Sequence, residues 1–161
     1  MESEESLCIS CDSAYARQRC GDCKQLLYCS YVCAQTHWES HKIGCGFWIP
    51  NIDVTTAENS SFRKVLYTTS TQQLVVMYLK PGQDIGMEAH PRTTQFVRVV
   101  RGTGEAVMGR GISPLEDASI VMVPPGVRHN IIASEKGRGL WLYTIYSPPE
   151  HAEDTHQEEK P

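Results

Sequence analysis

No cysteine follows Cys45 in this 161-residue chain, although it is the seventh. The larger part of the sequence therefore has no thiol for a disulfide or a thiolate-held metal. No run approaches the roughly 18 apolar residues that a membrane-crossing helix needs. The start, Met1-Glu-Ser-Glu-Glu-Ser, lacks the basic and apolar regions of a secretion signal, so an intracellular protein (cytoplasm or nucleus) is expected. Cationic excess is missing too: a net charge of -4 and a pI near 5.8 argue against a general polyanion binder. The chain also shows no phosphate loop, no Ser/His/Asp order and no internal repeat. Its length fits one domain or two small ones.

The cysteines all lie between Cys8 and Cys45. An odd count without a leader disfavours a disulfide framework, and paired Cys-x-x-Cys units inside cells usually hold zinc. Cys8 with Cys11, and Cys20 with Cys23, form two such knuckles. A third set, Cys29, Cys33, His37, His41 and Cys45, is spaced by four. On a helix that spacing keeps donors near one face. Seven thiolates and one imidazole give eight donors, enough for two closed tetrahedral sites. Spacing alone leaves open whether the knuckles share one ion or each pairs with part of the third set. His37 is left over and is expected to be a surface or packing histidine.

The run Leu27-Tyr-Cys-Ser-Tyr-Val-Cys-Ala-Gln-Thr-His-Trp-Glu-Ser-His-Lys-Ile-Gly-Cys45 closely resembles the MYND zinc finger, and the resemblance extends from Cys8 to Cys45. It implies a cross-braced pair of structural zinc ions. Cys8, Cys11, Cys29 and Cys33 would hold one, and Cys20, Cys23, His41 and Cys45 the other. It also implies a protein-interaction module for a protein partner or a proline-rich peptide, with Gln35 and Trp38 at positions the family uses for contact. The alternative for Trp38 is packing in a small core. Lys42 is the one base on the helical run, which disfavours nucleic acid.

Residues 1–48 are thus read as a small zinc-bound α module and 49–61 as a linker. Pro50 and the Thr, Asn and Ser cluster read as loop. The adjacent apolar Phe47, Trp48 and Ile49 are expected to cover the finger or dock it. Residues 62–148 read as all-β. Strand signals recur at Phe62 to Thr69, Gln72 to Leu79, Thr94 to Arg101, Gly104 to Met108, Ala118 to Val123, Arg128 to Ala133 and Gly139 to Ser147, with glycine and proline turns between them. An antiparallel barrel or double-sheet roll follows. Because several strands are apolar on both faces, a barrel-to-barrel homodimer is an expected outcome. Residues 149–161 are acidic and almost without apolar side chains. They are expected to be disordered, with His151 and His156 solvated.

Within the β module, Glu88 and His90 alternate with Ala89 and so point to one side of an extended segment. Gln95 opens the next apolar strand on the face of Val97 and Val99. His129 follows a Pro-Pro-Gly turn after the strand Ile120 to Val123. Donors from separate strands are thereby expected to meet inside the barrel. An interior Glu88 without a cation or arginine would cost several kcal/mol, and by alternation Arg98 and Arg128 face away.

This stretch resembles the cupin family. Gly82, Glu88, His90, Gln95 and Gly102 fall at the positions of its first motif, and Pro124, Gly126 and His129 at those of its second. Two positions depart: Glu88 stands where the family has a histidine, and Gln95 where it has a glutamate. The resemblance implies a double-stranded β-helix barrel holding a divalent transition metal (iron, manganese, nickel or zinc) and a small-molecule ligand. Gln95 is either a direct ligand or a group that orients Glu88 or a bound molecule. Tyr143, Tyr146 and Arg128 are candidates for ligand contact. Members of the family include dioxygenases, isomerases and non-enzymatic proteins, so catalysis does not follow from the fold.

Overall fold

The structure, a computed structural model, describes residues 7–23, 26–42 and 45–161. It separates into two compact units, Met1–Pro50 and Asn51–Pro161.

In the first unit a short antiparallel hairpin, β1 (Gln18–Arg19) and β2 (Leu27–Tyr28), precedes the helix α1 (Tyr31–His41). Ser30 caps α1, its hydroxyl accepting from the Cys33 amide at 3.3 Å, which satisfies one of the open N–H groups of the first turn. No residue of α1 is buried. An apolar stripe therefore does not hold this helix, and its anchors are the side chains of Cys33 and His41. The unit's buried core consists of Cys8, Ala16, Cys20, Cys23 and Tyr28. A core made mostly of metal-ligand types is too small to support a fold by apolar burial.

The second unit opens with a helix, α2 (Ile52–Ala57), where the sequence reads as loop. Asn51 nucleates it: its side-chain oxygen accepts from the amides of Asp53 and Val54 at 3.0 and 3.1 Å. Nine strands follow: β3 (Arg63–Thr68), β4 (Gln73–Leu79), β5 (Thr94–Gly102), β6 (Gly104–Met108), β7 (Gly111–Leu115), β8 (Ile120–Val123), β9 (His129–Ala133), β10 (Leu140–Ser147) and β11 (His156–Gln157). They form a six-stranded antiparallel sheet, β11-β3-β4-β10-β5-β8, and a three-stranded one, β7-β6-β9. Bridges Asp84↔Ile132 and Glu88↔His129 tie the segment after β4 to β9. This is the double-sheet roll expected from the strand pattern.

Register sorts the interior into layers. Thr144 lies opposite Val75 and Val97, Leu142 opposite Met77 and Val99, and Tyr146 opposite Gln73 and Gln95. The first two layers are mostly aliphatic, while the third is polar and marks one end of the barrel. On β10 the alternate residues Trp141, Tyr143 and Ile145 are half-buried. Part of their cover comes from α2, whose Asp53 pairs with Arg98 on neighbouring β5. The Trp141 indole N–H donates to Asn59 O at 3.1 Å. Gly102, at the β5 end, has a φ of +107°, and a Cβ there would meet Gly139 O at 2.1 Å, so the tight β5–β10 approach requires glycine.

Residues 149–161 are not disordered. The Phe62 amide donates to Glu158 O at 3.1 Å and the Val65 amide to Thr155 O at 2.9 Å, so the segment covers the open edge of β3. Its polar side chains have specific partners: His156 with Ser61 at 2.8 Å, Gln157 with Arg63 at 3.1 Å, and Lys160 with Asp84. An edge strand with unpaired backbone groups supplies the template that a low-apolar tail lacks by itself. In the apolar trio, Trp48 is 59% exposed. No helix among the described residues is long and apolar enough to cross a membrane.

Candidate functional site

Two donor clusters lie in the first unit. Cys8, Cys11, Cys29 and Cys33 form one, and Cys20, Cys23, His41 and Cys45 the other, with ligand atoms in each group within 4.8 Å of one another. The arrangement is cross-braced: each knuckle pairs with half of the third set. In the first cluster the Cys11–Cys29, Cys29–Cys33 and Cys33–Cys11 sulfur separations are 3.6, 3.5 and 3.6 Å. A tetrahedral ion with bonds of about 2.3 Å sets sulfurs about 3.8 Å apart, so this geometry fits zinc. In the second, His41 Nε2 lies 3.2 Å from Cys20 Sγ and 3.4 Å from Cys23 Sγ. Burial, and then the neighbouring Cys20 thiol, push the Cys45 thiol up to about 12. Thiolates packed this closely need a cation to exist together. His37 is no ligand; its Nδ1 lies 3.1 Å from the Tyr28 hydroxyl and its ring stacks on His41.

Beside the second cluster, a groove of about 760 Å³ runs between the hairpin and α1. Gln18, Arg19 and Asp22 line one side, and Tyr31, Gln35 and Trp38 the other. Trp38 is 38% exposed and meets the His41 ring edge-on, so the same side chain packs against a zinc ligand and faces the groove.

The third cluster is in the barrel. Glu88, His90 and His129 bring their ligand atoms within 4.8 Å of one another. Glu88 and His129 form a hydrogen-bonded antiparallel pair, with N–H to O distances of 3.0 and 2.9 Å in the two directions, which sets their side chains on one face. Pro124 to Val127 make the preceding turn, closed by Val127 N to Pro124 O at 3.3 Å, with Gly126 at φ +78°. Glycine at that position of a type II turn aims the chain so that His129 enters the interior. His129 is 0% exposed, His90 13% and Glu88 24%, so the cluster grades from the core to the mouth.

Each side chain has its own support. His129 Nδ1 lies 3.0 Å from Val127 O, leaving Nε2 toward Glu88 Oε1 at 3.5 Å and Gln95 Oε1 at 2.7 Å. His90 Nε2 lies 3.3 Å from the same Glu88 oxygen. Gln95 Nε2 donates to the Tyr146 hydroxyl at 3.1 Å, turning the amide oxygen to the cluster. Gln95 is thus oriented from behind, with its amide oxygen turned to the cluster. Burial works against the Glu88 carboxylate, but His129 and His90 outweigh it and hold it below the ordinary carboxylate range. Burial likewise opposes charge on His129, and Glu88 outweighs it, raising that imidazole. A carboxylate and two imidazoles, with the Gln95 amide oxygen beside them, suit a divalent first-row metal.

The other sequence candidates lie elsewhere. Arg128 is exposed, and Tyr143 is on the outer face against Phe96 and Arg98. Tyr146 is interior and acts through Gln95. The sequence reading missed Glu150 and His151. Far from being solvated, His151 sits edge-on against Tyr146 at 5.0 Å between ring centroids, its backbone held by both ends of the Gln73 amide. Burial, then the Arg63 charge, lower its pKa to about 4. Their signal in the sequence was an acid–imidazole pair directly after Pro148-Pro149, where the chain has just left an interior strand.

Comparison with known proteins identifies both families. Residues 8–45 match the family model of the MYND finger, and residues 75–145 that of the cupin domain. YrkC of Bacillus subtilis is 38% identical over 119 residues, or 70% of this chain and 63% of that protein, so the chain covers less than two thirds of this relative. Protein L612 of Acanthamoeba polyphaga mimivirus is 38% identical over 107 residues, 65% of this chain and 67% of the viral protein. A Bacillus halodurans protein of known crystal structure is 35% identical with a TM-score of 0.68, covering 70% of this chain and 89% of its own. KdgF from Halomonas, at 22% identity and a TM-score of 0.51 over 55% of this chain and 78% of its own, shares the fold.

Proposed function

For a chain that belongs to the cupin family and carries a MYND finger ahead of the barrel, we propose a zinc-dependent interaction protein whose barrel holds a further divalent metal. The carrying observation is the contrast between the three clusters. The two in the finger are complete four-donor sets, the signature of structural zinc. The one in the barrel has three charged or imidazole donors and an amide, with its Glu88 edge toward the mouth.

The finger is the recruiting half. Its groove presents Trp38 and Tyr31 as flat apolar surfaces, with Gln35 and Gln18 as amide partners. A proline-rich segment, extended and already low in conformational entropy, suits such a surface. The barrel is the ligand-binding half. A metal there would supply Lewis-acid or dioxygen chemistry, while Gln95, Tyr146 and His129 hold the donor set in place. The open edge also favours a second reading, in which the barrel is a metal-dependent dioxygenase or sugar isomerase and the finger localises it.

Elemental analysis of the purified chain tests the main reading. About two zinc ions plus a third metal are expected, the third lost in a Glu88→Ala, His129→Ala double variant. Two zinc ions in both forms overturn it. For the finger, Trp38→Ala should abolish capture of a proline-rich peptide panel with zinc content unchanged.

A further inference from the structure

We propose that Glu150, from the segment after the last barrel strand, is the positioning carboxylate of His90 and so a working part of the barrel's metal centre. The inference rests on the reading of Glu88, His90 and His129 as metal ligands. An imidazole that binds through Nε2 keeps its proton on Nδ1, and metal sites generally give that proton an acceptor, which fixes both ring orientation and tautomer. His129 has such an acceptor in Val127 O. His90 stands on a short connecting segment, and its Nε2 already faces Glu88. On the opposite side of its ring, Glu150 Oε1 lies 3.6 Å from Nδ1, at ion-pair distance. Glu150 meets the nitrogen that the cluster does not use, so it orients a ligand and is not one itself.

The backbone around Glu150 is built to hold it there. Gln73, 0% exposed, clamps the next residue with one hydrogen bond to the His151 amide and another to its carbonyl, at 3.0 and 2.8 Å. The Thr93 hydroxyl donates to Pro148 O at 3.2 Å, and the Tyr146 ring receives both His90 and His151 edge-on. Tyr146 therefore touches the ring that Glu150 orients, the ring beside Glu150, and the amide of Gln95. Without metal, His90 lies between two carboxylates. Glu88 and His90 Nε2 would hold a cation together, with Nδ1 left facing Glu150.

The test uses the full chain with zinc in the finger and Mn2+ as probe, followed by electron paramagnetic resonance, since manganese prefers oxygen and imidazole donors to thiolates. Glu150→Ala should weaken Mn2+ binding roughly 10- to 100-fold. Glu150→Gln, which keeps an oxygen acceptor facing Nδ1, should retain more affinity than Glu150→Ala. Lys160→Ala, which frees the far end of the same segment from Asp84, should stay within about threefold of the parent protein. Parent-like binding by Glu150→Ala overturns the proposal, and so does an equal loss in Lys160→Ala, which would assign the effect to a loosened segment. A parent protein that takes up no Mn2+ overturns the metal reading and this inference with it.

Discussion

Tyr146 stands directly across the β10–β5 ladder from Gln95 and receives its amide N–H at 3.1 Å, so that the Gln95 carbonyl oxygen points at His129. Tyr146 is 1% exposed, and burial, then the Glu88 charge, hold its hydroxyl protonated well above the ordinary phenol range. It serves as a fixed hydrogen-bonding post. Tyr146→Phe removes the post and leaves a buried N–H unpaired, at about 1–3 kcal/mol of stability. The freed amide should also weaken metal binding about tenfold. Isothermal titration with Mn2+ and thermal melts on one preparation measure both; unchanged affinity would show that the Gln95 orientation is immaterial.

Metal removal should separate the two units. Three of the five buried core residues of the finger are cysteine and no residue of its helix is fully buried, so bound zinc would supply free energy on the order of 10 kcal/mol that the residues alone do not. A strong chelator should unfold residues 8–45 while the barrel keeps its sheet. Residue-resolved amide spectra before and after chelation show this. A finger that stays folded after full zinc loss would contradict the claim.

The metal-free barrel should carry a pH signature from Glu88 and His129. Glu88 is lowered from 4.5, so its contribution is present above that value and fades as pH falls through the lowered one. His129 is raised from 6.5, so its contribution is full below that value and fades as pH rises through the raised one. The pair should stabilise most between 4.5 and 6.5. Melts of chelated protein and of Glu88→Gln across pH should show the largest difference in that window. A difference that does not change with pH would refute the pairing.

His151 should titrate near pH 4 in proton–carbon spectra, where a solvated imidazole titrates near 6.5. Its charged form is disfavoured in the fold, so the fold should lose stability as pH falls from 6.5 toward 4, on the order of 2–3 kcal/mol. His151→Phe keeps the ring packing and should blunt that loss. A midpoint near 6.5 would place the ring in water.

Much of this was legible because its cause is local. Four-residue donor spacing on a helix and two-residue knuckles leave few ways to gather eight ligands, although spacing could not choose their pairing. Alternation along β5 and β10 announced an interior face, and the Pro-Pro-Gly turn announced His129. What escaped depends on distant residues. The six residues of α2 are rich in β-branched types, and the helix exists because Asn51 caps it and strands β5 and β10 lie beneath. β7 carries Pro114, tolerated because the strand is at a sheet edge. β11 is two residues long and apolar nowhere; only the unpaired edge of β3 gives it a place. Glu150 is placed by the Gln73 clamp on His151 and the Thr93 bond to Pro148, contacts that no window of sequence around it could express.

The confinement of every thiol to the first unit has a chemical consequence. All seven are free of disulfides, and closely packed thiolates are the groups that peroxide attacks. An oxidant that converts them to sulfenates or cystines would remove the donors of both four-residue clusters, and with them the fold of the first unit, yet it would find no sulfhydryl in the barrel. Oxidation would therefore unmake the first unit and leave the sheets of the barrel untouched.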